Sequence, residues 1–406
     1  MKWSETRCLC IVIKTNQGGM WLVPQVREAL DRGLHVIVIL PDGDGRLARA
    51  LALIMDEEPN LRVCPIRFDF RVKLSLATML GVLQVRAILR KCDADTVLYH
   101  LYASALVTRL ATFGLKGVRK VHMVAGPLYL ESRPIRWVER ILWRLDTMII
   151  AGSRYTYRRY VELGVSAKRI CVVPYGVDTE RFSPEVVVSS DSARKALDID
   201  DGVFVVVMVA YIYAPKSLVF PGVGIKGHEL ALEAWMEFAK EFPNSELIFV
   251  GSGFDSHGQA HREALVAQAR RINLARPIRW IESLADVRTV YAASDLSISP
   301  SLSENHGAVL EASAMSVPSV VSDAGALPEA LAPGAGWVFA SGHAEKLAGR
   351  LREAHAAWLG GELPHMGELA RIFVERHFSA QRCAQHVVDV VSGEGAPGCG
   401  TGGSLR

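Results

Sequence analysis

The segment Ser299-Pro300-Ser301-Leu302-Ser303-Glu304-Asn305-His306-Gly307-Ala308-Val309-Leu310-Glu311-Ala312 sets two carboxylates on either side of a glycine-containing turn. The apolar residues before it read as a strand ending at Pro300, and the small residues after it read as a helix with Glu311 near its start. The first N–H groups of a helix lack intrahelical partners and carry a partial positive charge, so such a turn attracts phosphate. A phosphate seat flanked by carboxylates suits a nucleotide-sugar. The amides of Asn305, His306, Gly307 and Ala308 would take the diphosphate and the sugar, and Glu304 and Glu311 the sugar and ribose hydroxyls.

Downstream lie Pro318-Ser319-Val320-Val321-Ser322-Asp323 and a Gly325 to Glu329 spacing. Taken together, residues 299–329 resemble the donor-site signature of the family-4 retaining glycosyltransferases, enzymes of the GT-B fold. One feature departs from that family: one residue fewer separates Glu304 from Glu311, and Glu304, on the loop side, is the one expected to sit off its family position. The resemblance implies an α/β protein of two doubly wound Rossmann-like domains facing each other across a cleft. It implies a hexosyltransferase that retains anomeric configuration, uses a UDP- or GDP-linked sugar as substrate, and needs neither cofactor nor metal. Breaking a sugar–diphosphate bond leaves negative charge on the departing oxygen, which a site without metal must meet with cations and N–H dipoles.

The same resemblance assigns further residues. Lys226, in Lys226-Gly227-His228-Glu229, stands where the family places its lysine. The family's arginine is missing, and Lys216 is its expected substitute, a point charge without the bidentate fork. Gly253, in Gly251-Ser252-Gly253, resembles the turn beneath the nucleotide. Gly18 and Gly19 match a glycine pair after the first strand. His122 is expected at the end of a strand, facing the sugar, and His306 stands where phenylalanine is common. His122, Glu304 and Lys226 are therefore the catalytic candidates.

Half of the 406 residues are hydrophobic and the net charge is +3, ordinary for a globular protein and too small to argue for nucleic acid. The seven cysteines form no C-x-x-C pair, and buried reduced thiols are the plain reading. Cys8 and Cys10 alternate in an apolar run and are expected to pack in the core. No signal peptide and no apolar run long enough for a membrane span are evident. A cytoplasmic location is expected, with peripheral contact at the inner face of the cell membrane left open.

Apolar strands alternate with helices: residues 8–13, 35–40, 96–99, 120–123, 148–151 and 170–173, then 203–209, 246–250, 278–281, 296–299 and 320–322. The pattern indicates parallel sheets covered on both faces. Expected boundaries are an acceptor-binding domain at 1–184, a linker at 185–200, a nucleotide-sugar-binding domain at 201–367, a helix at 368–391 returning toward the first domain, and a disordered tail at 392–406. Arg133, Arg136, Trp137, Arg140, Trp143 and Arg144 form a basic, aromatic stretch. Ile135, Val138, Ile141 and Leu145 fit a helix packed on the sheet, with its arginines solvated. The expected acceptor is a lipid-linked cell-envelope glycan intermediate or a small secondary metabolite. Two alternatives stay open: another GT-B enzyme such as a nucleotide-sugar epimerase, and a non-catalytic sugar-nucleotide binder.

Overall fold

Cys8-Leu9-Cys10-Ile11-Val12-Ile13 offers no polar side chain to water, and it forms β1 (Cys8–Ile13), buried on both faces. The computed structural model describes residues 7–67, 75–215 and 222–395. Lys216 and residues 396–406 lie outside the described residues. The chain divides into two units, Met1–Gly176 with Ala380–Arg406, and Val177–Ser379.

In the first unit β1 is followed by α1 (Leu22–Asp31), β2 (His35–Pro41), α2 (Arg46–Glu57), β3 (Leu61–Ile66), α3 (Leu76–Lys91), β4 (Thr96–His100), α4 (Tyr102–Ala111), β5 (Arg119–Val124), α5 (Arg133–Leu142), β6 (Met148–Ala151), α6 (Arg154–Glu162) and β7 (Ile170–Val172). The seven strands are parallel, in the order 3-2-1-4-5-6-7. Ser75 and Ser153 start α3 and α6 by accepting the N–H groups of Thr78 and Thr156.

The second unit runs α7 (Ser190–Ala196), β8 (Phe204–Val209), α8 (His228–Glu241), β9 (Ser245–Val250), α9 (Ser256–Arg270), β10 (Arg279–Ile281), α10 (Arg288–Ala292), β11 (Leu296–Ser299), α11 (Val309–Ala314), β12 (Ser319–Ser322), β13 (Gly336–Phe339), α12 (Ala344–Leu359) and α13 (Leu363–Phe378). Its six strands are again parallel, in the order 10-9-8-11-12-13. α14 (Ala380–Ser392) then packs its Cys383, Val387 and Val391 into the core of the first unit, against α1.

These boundaries differ from the expected ones. The second unit begins at Val177, whose N–H donates to Phe378 O at 2.8 Å, and Val177 and Phe182 are buried in its core. Residues 185–200 are not an open linker, because they hold α7, with Ala193 buried in that same core. The expected returning helix is two helices: α13 belongs to the second unit and only α14 to the first. Among the described residues no helix is long and apolar enough to cross a membrane.

A buried ionic cluster fixes one layer of the first unit. The Arg109 guanidinium on α4 grips Glu139 of α5 with both Nη atoms, at 2.7 and 2.8 Å, and Asp146 through Nε at 2.9 Å and Nη2 at 2.5 Å. Tyr99 donates to Asp146 and Tyr160 to Glu139. This cluster turns α5 over relative to expectation. Glu139 is its fully buried residue, while Trp137, Val138 and Ile141 face solvent, Trp137 at 66% exposure. A carboxylate with a bidentate arginine partner outcompetes the apolar residues for the inner face. Arg109→Ala leaves both carboxylates buried without their cation, so the unfolding free energy should fall by about 3–5 kcal/mol. Chemical denaturation followed by circular dichroism reads this; an unchanged midpoint and slope would show that the cluster does not hold the layer.

Candidate functional site

β8, β11 and β12 are neighbours in the second sheet, so the loops leaving their carboxyl ends converge. Ligands of doubly wound sheets bind at such ends. The loop after β8 comes back to α8 through Gly227, whose φ is +73°. A Cβ there would stand 2.2 Å from Pro300 O, so only glycine lets this loop lie against the one after β11. Leu302 N–H donates to Ile225 O at 2.8 Å and joins the same two loops. The loop after β12 closes from the other side. Ser322 Oγ donates to Ser301 O at 2.6 Å, and Ala326 N–H to Glu304 O at 3.1 Å. Gly325 touches that same Glu304 carbonyl, where a Cβ would come within 2.1 Å.

This packing brings Lys226 to Glu304, and the two form an ion pair, with both side chains about one-fifth exposed or less. Glu304 Oε1 also accepts the N–H of Asn305 at 3.1 Å. Gly307 lies against the Glu304 side chain, and Ala308 immediately precedes α11. Glu311 sits in the first turn of α11. Its carboxyl lies beside Tyr291, whose hydroxyl is 3.5 Å from Oε2 and also donates to Ala308 O at 3.3 Å. Burial pushes the Glu311 carboxyl up to about 7, against the opposing pull of the Arg181 charge and the Tyr291 hydroxyl. One turn therefore carries a cation held by a carboxylate, main-chain amides at a helix start, and a second carboxyl poised near neutrality.

The remaining expected residues do not take part in this cluster of side chains. His122 is not at a strand end. It lies two residues inside β5, fully buried, its ring stacked 5.3 Å from that of Tyr99 and its Nδ1 3.3 Å from Arg109 Nη2. Burial and the neighbouring guanidinium hold it well below the usual histidine range, so it is a neutral member of the ionic cluster and has no face open to a sugar. His306 is also buried, its ring 4.9 Å from that of Phe378, and burial lowers it to about 3. It fills the core beneath the turn, as the phenylalanine it replaces would. The Gly253 N–H is taken by Gln259 Oε1 at 3.0 Å, so this glycine packs the loop after β9 onto the start of α9. Gly18 and Gly19 lie in the β1–α1 loop of the first unit, where Thr15 Oγ1 accepts the Gly18 N–H at 3.3 Å. Tyr291 and Arg181 escaped the sequence reading because neither lies in the segment that carries the motif; Arg181 follows Asp178 by three residues, a spacing that gave no chemical signal.

Two family models divide the chain. That for glycosyltransferase family 4 matches residues 25–181, and that for glycosyl transferases group 1 matches residues 215–356. A D-inositol 3-phosphate glycosyltransferase of Rhodococcus erythropolis is 33% identical over 354 residues, covering 80% of this chain and 76% of its own. A GDP-mannose-dependent monoacylated alpha-(1-6)-phosphatidylinositol monomannoside mannosyltransferase of Corynebacterium glutamicum is 24% identical over 325 residues, covering 76% of this chain and 78% of its own. Among solved structures, a glycosyltransferase of Rickettsia africae superposes with a TM-score of 0.76 at 17% identity, covering 96% of this chain and 98% of that one. Anabaena HepE in complex with UDP and glucose gives 0.75 at 18% identity, covering 95% and 100%. The two parallel-sheet units are thus those of a GT-B fold, and the chain belongs to the group 1 glycosyl transferases of glycosyltransferase family 4.

Proposed function

We propose that the protein is a retaining glycosyltransferase that moves a hexosyl unit from a UDP- or GDP-sugar to a hydroxyl of an acceptor held by the first unit. The observation that carries this reading is the meeting of Lys226, Glu304 and Glu311 around one turn at the carboxyl ends of β8 and β11. The diphosphate takes the Gly307 and Ala308 amides and draws Lys226 away from Glu304. Glu304, released, accepts hydroxyls of the sugar, and Glu311 accepts those of the ribose. The bond from the anomeric carbon to the phosphate oxygen breaks as the acceptor oxygen attacks the same face. The acceptor proton passes to the departing diphosphate, whose charge Lys226 and the amides offset.

Glu311→Ala should weaken UDP or GDP binding by about 1.5–3 kcal/mol, the scale of hydrogen bonds to a charged group. The sign with pH follows from the carboxyl's position. Below about 7 it is protonated and stops accepting ribose hydroxyls, so affinity should fall as pH drops through that value and Glu311→Gln should abolish the slope. Calorimetry showing equal affinity for parent and variant, flat with pH, would contradict the assignment.

Lys226 and the helix-start amides supply positive charge from the chain itself, which is the basis for expecting turnover without a divalent ion. Asp42-Gly43-Asp44 in the first unit is an Asp-x-Asp pair, but Asp44 is paired with Arg49 at 3.2 Å. Reactions run in excess chelator should proceed, and proton NMR of the first product should show the donor's anomer. An inverted product, or loss of turnover that manganese restores, would overturn the mechanism.

A lipid-linked acceptor is favoured over a small soluble one by a surface of the first unit. α3 packs on α4, and Arg109 ties α4 to α5, so the three helices form one layer. Leu76, Met79, Leu80 and Leu83 make an exposed i, i+3, i+4, i+7 stripe on α3, and Phe113 beyond α4 and Trp137 and Ile141 on α5 are exposed as well. The charges accompanying them on α3 and α5 are Arg86, Arg90, Lys91, Arg133, Arg136 and Arg140, and the one carboxylate of the three helices, Glu139, is buried. Apolar side chains among cations suit an anionic bilayer face. The Corynebacterium relative's name, with its phosphatidylinositol monomannoside, supports the same choice, and the Rhodococcus relative's inositol phosphate supports the soluble alternative. Vesicles containing anionic lipid should sediment the protein, and Arg136→Glu with Arg140→Glu should reduce the bound fraction severalfold. Equal sedimentation of both forms would favour a soluble acceptor.

A further inference from the structure

Three thiols of the first unit converge at the amino end of its sheet, the end opposite the loops where ligands of such sheets bind. Cys8 and Cys10 alternate on β1 and so project from one face. Cys92 is the C-cap of α3. Their Sγ atoms all lie within 4.8 Å of one another, and those of Cys10 and Cys92 are 3.3 Å apart. The main chain holds this arrangement: Cys8 N–H donates to Asp95 Oδ2 at 2.7 Å, and Asp95 N–H returns to Cys8 O at 3.1 Å. Cys8 and Cys10 are buried while Cys92 is half-buried, which leaves an approach from solvent on the Cys92 side.

Packing alone accounts for one small apolar side chain at each position; the three Sγ atoms lie, in addition, close enough together to share one ion. Thiolates select soft ions, and a zinc–sulfur bond of about 2.3 Å places sulfurs of a tetrahedral site about 3.8 Å apart. That separation falls inside the span these three thiols already occupy. We propose that Cys8, Cys10 and Cys92 form a three-thiolate site for a soft d10 metal ion, Zn2+ or Cu+, that clamps β1 to the end of α3. Binding displaces the thiol protons to solvent and breaks no covalent bond. The ion is structural, since the residues of the donor turn lie in the other unit.

The full chain, kept reduced with a phosphine and stripped of metal, is titrated with Zn2+ in one arm and Cu+ in the other. One equivalent should be taken up in at least one arm. Alkylation mapped by peptide mass spectrometry should then slow at least tenfold at Cys8, Cys10 and Cys92 together, a readout that depends on no variant. Cys92→Ser, at the half-buried cap, should weaken uptake at least tenfold with an unchanged circular dichroism spectrum. Cys383→Ala, on α14, should bind as the parent does. No uptake in either arm, equal uptake by Cys92→Ser and parent, or a Cys10–Cys92 disulfide persisting under these reducing conditions would each overturn the assignment.

Discussion

The packing of the loop after β8 on the loop after β11, closed by the Lys226–Glu304 ion pair, is what the candidate turn depends on. It joins two loops that neither sequence proximity nor a common element would bring together, and it exists because β8 and β11 are adjacent parallel strands whose carboxyl ends open on the same side. Gly227 and Gly325 permit the approach by leaving room for the Pro300 and Glu304 carbonyls. The pair also has a functional consequence. In the proposed mechanism the lysine is held by the carboxylate that would orient the sugar, and an arriving diphosphate would draw its charge toward the leaving group.

Much of the architecture was legible in the sequence because parallel strands buried on both faces must be continuous apolar runs. β1, β6 and β8 are such runs, and each lies where the residues predict. β3 and β13 were not recognised. Leu61–Ile66 includes an arginine and a proline, and Gly336–Phe339 is short and partly exposed, as strands at or near a sheet edge are. The inverted α5 was also illegible. Its apolar spacing fits a packed helix, and only the tertiary partner, Arg109 thirty residues upstream, reveals that Glu139 is the buried member.

The grouping of the candidate turn was legible for a different reason: most of its residues are contiguous, so residue type and spacing could be read together. Glu304, Gly307, Ala308 and Glu311 meet around one turn, and Lys226 joins them from the loop after β8. His122 was placed at the sugar because residue type was weighed without burial. Its ring is locked against Arg109, whereas His306 fills space beside Phe378, one of the two roles its residue type allows. Tyr291, which underlies the Glu311 carboxyl, comes from α10 and is visible only once that helix is packed.

Family membership fixes glycosyl transfer as the chemistry, and the proposal that the donor binds to the second unit rests on the turn that gathers Lys226, Glu304 and Glu311. A crystal structure of the protein with UDP or GDP bound tests that claim most directly. Ribose hydroxyls are expected on Glu311, the diphosphate over Gly307 and Ala308, and Lys226 turned from Glu304 toward phosphate. A nucleotide bound elsewhere, with the Lys226–Glu304 pair intact, would contradict it.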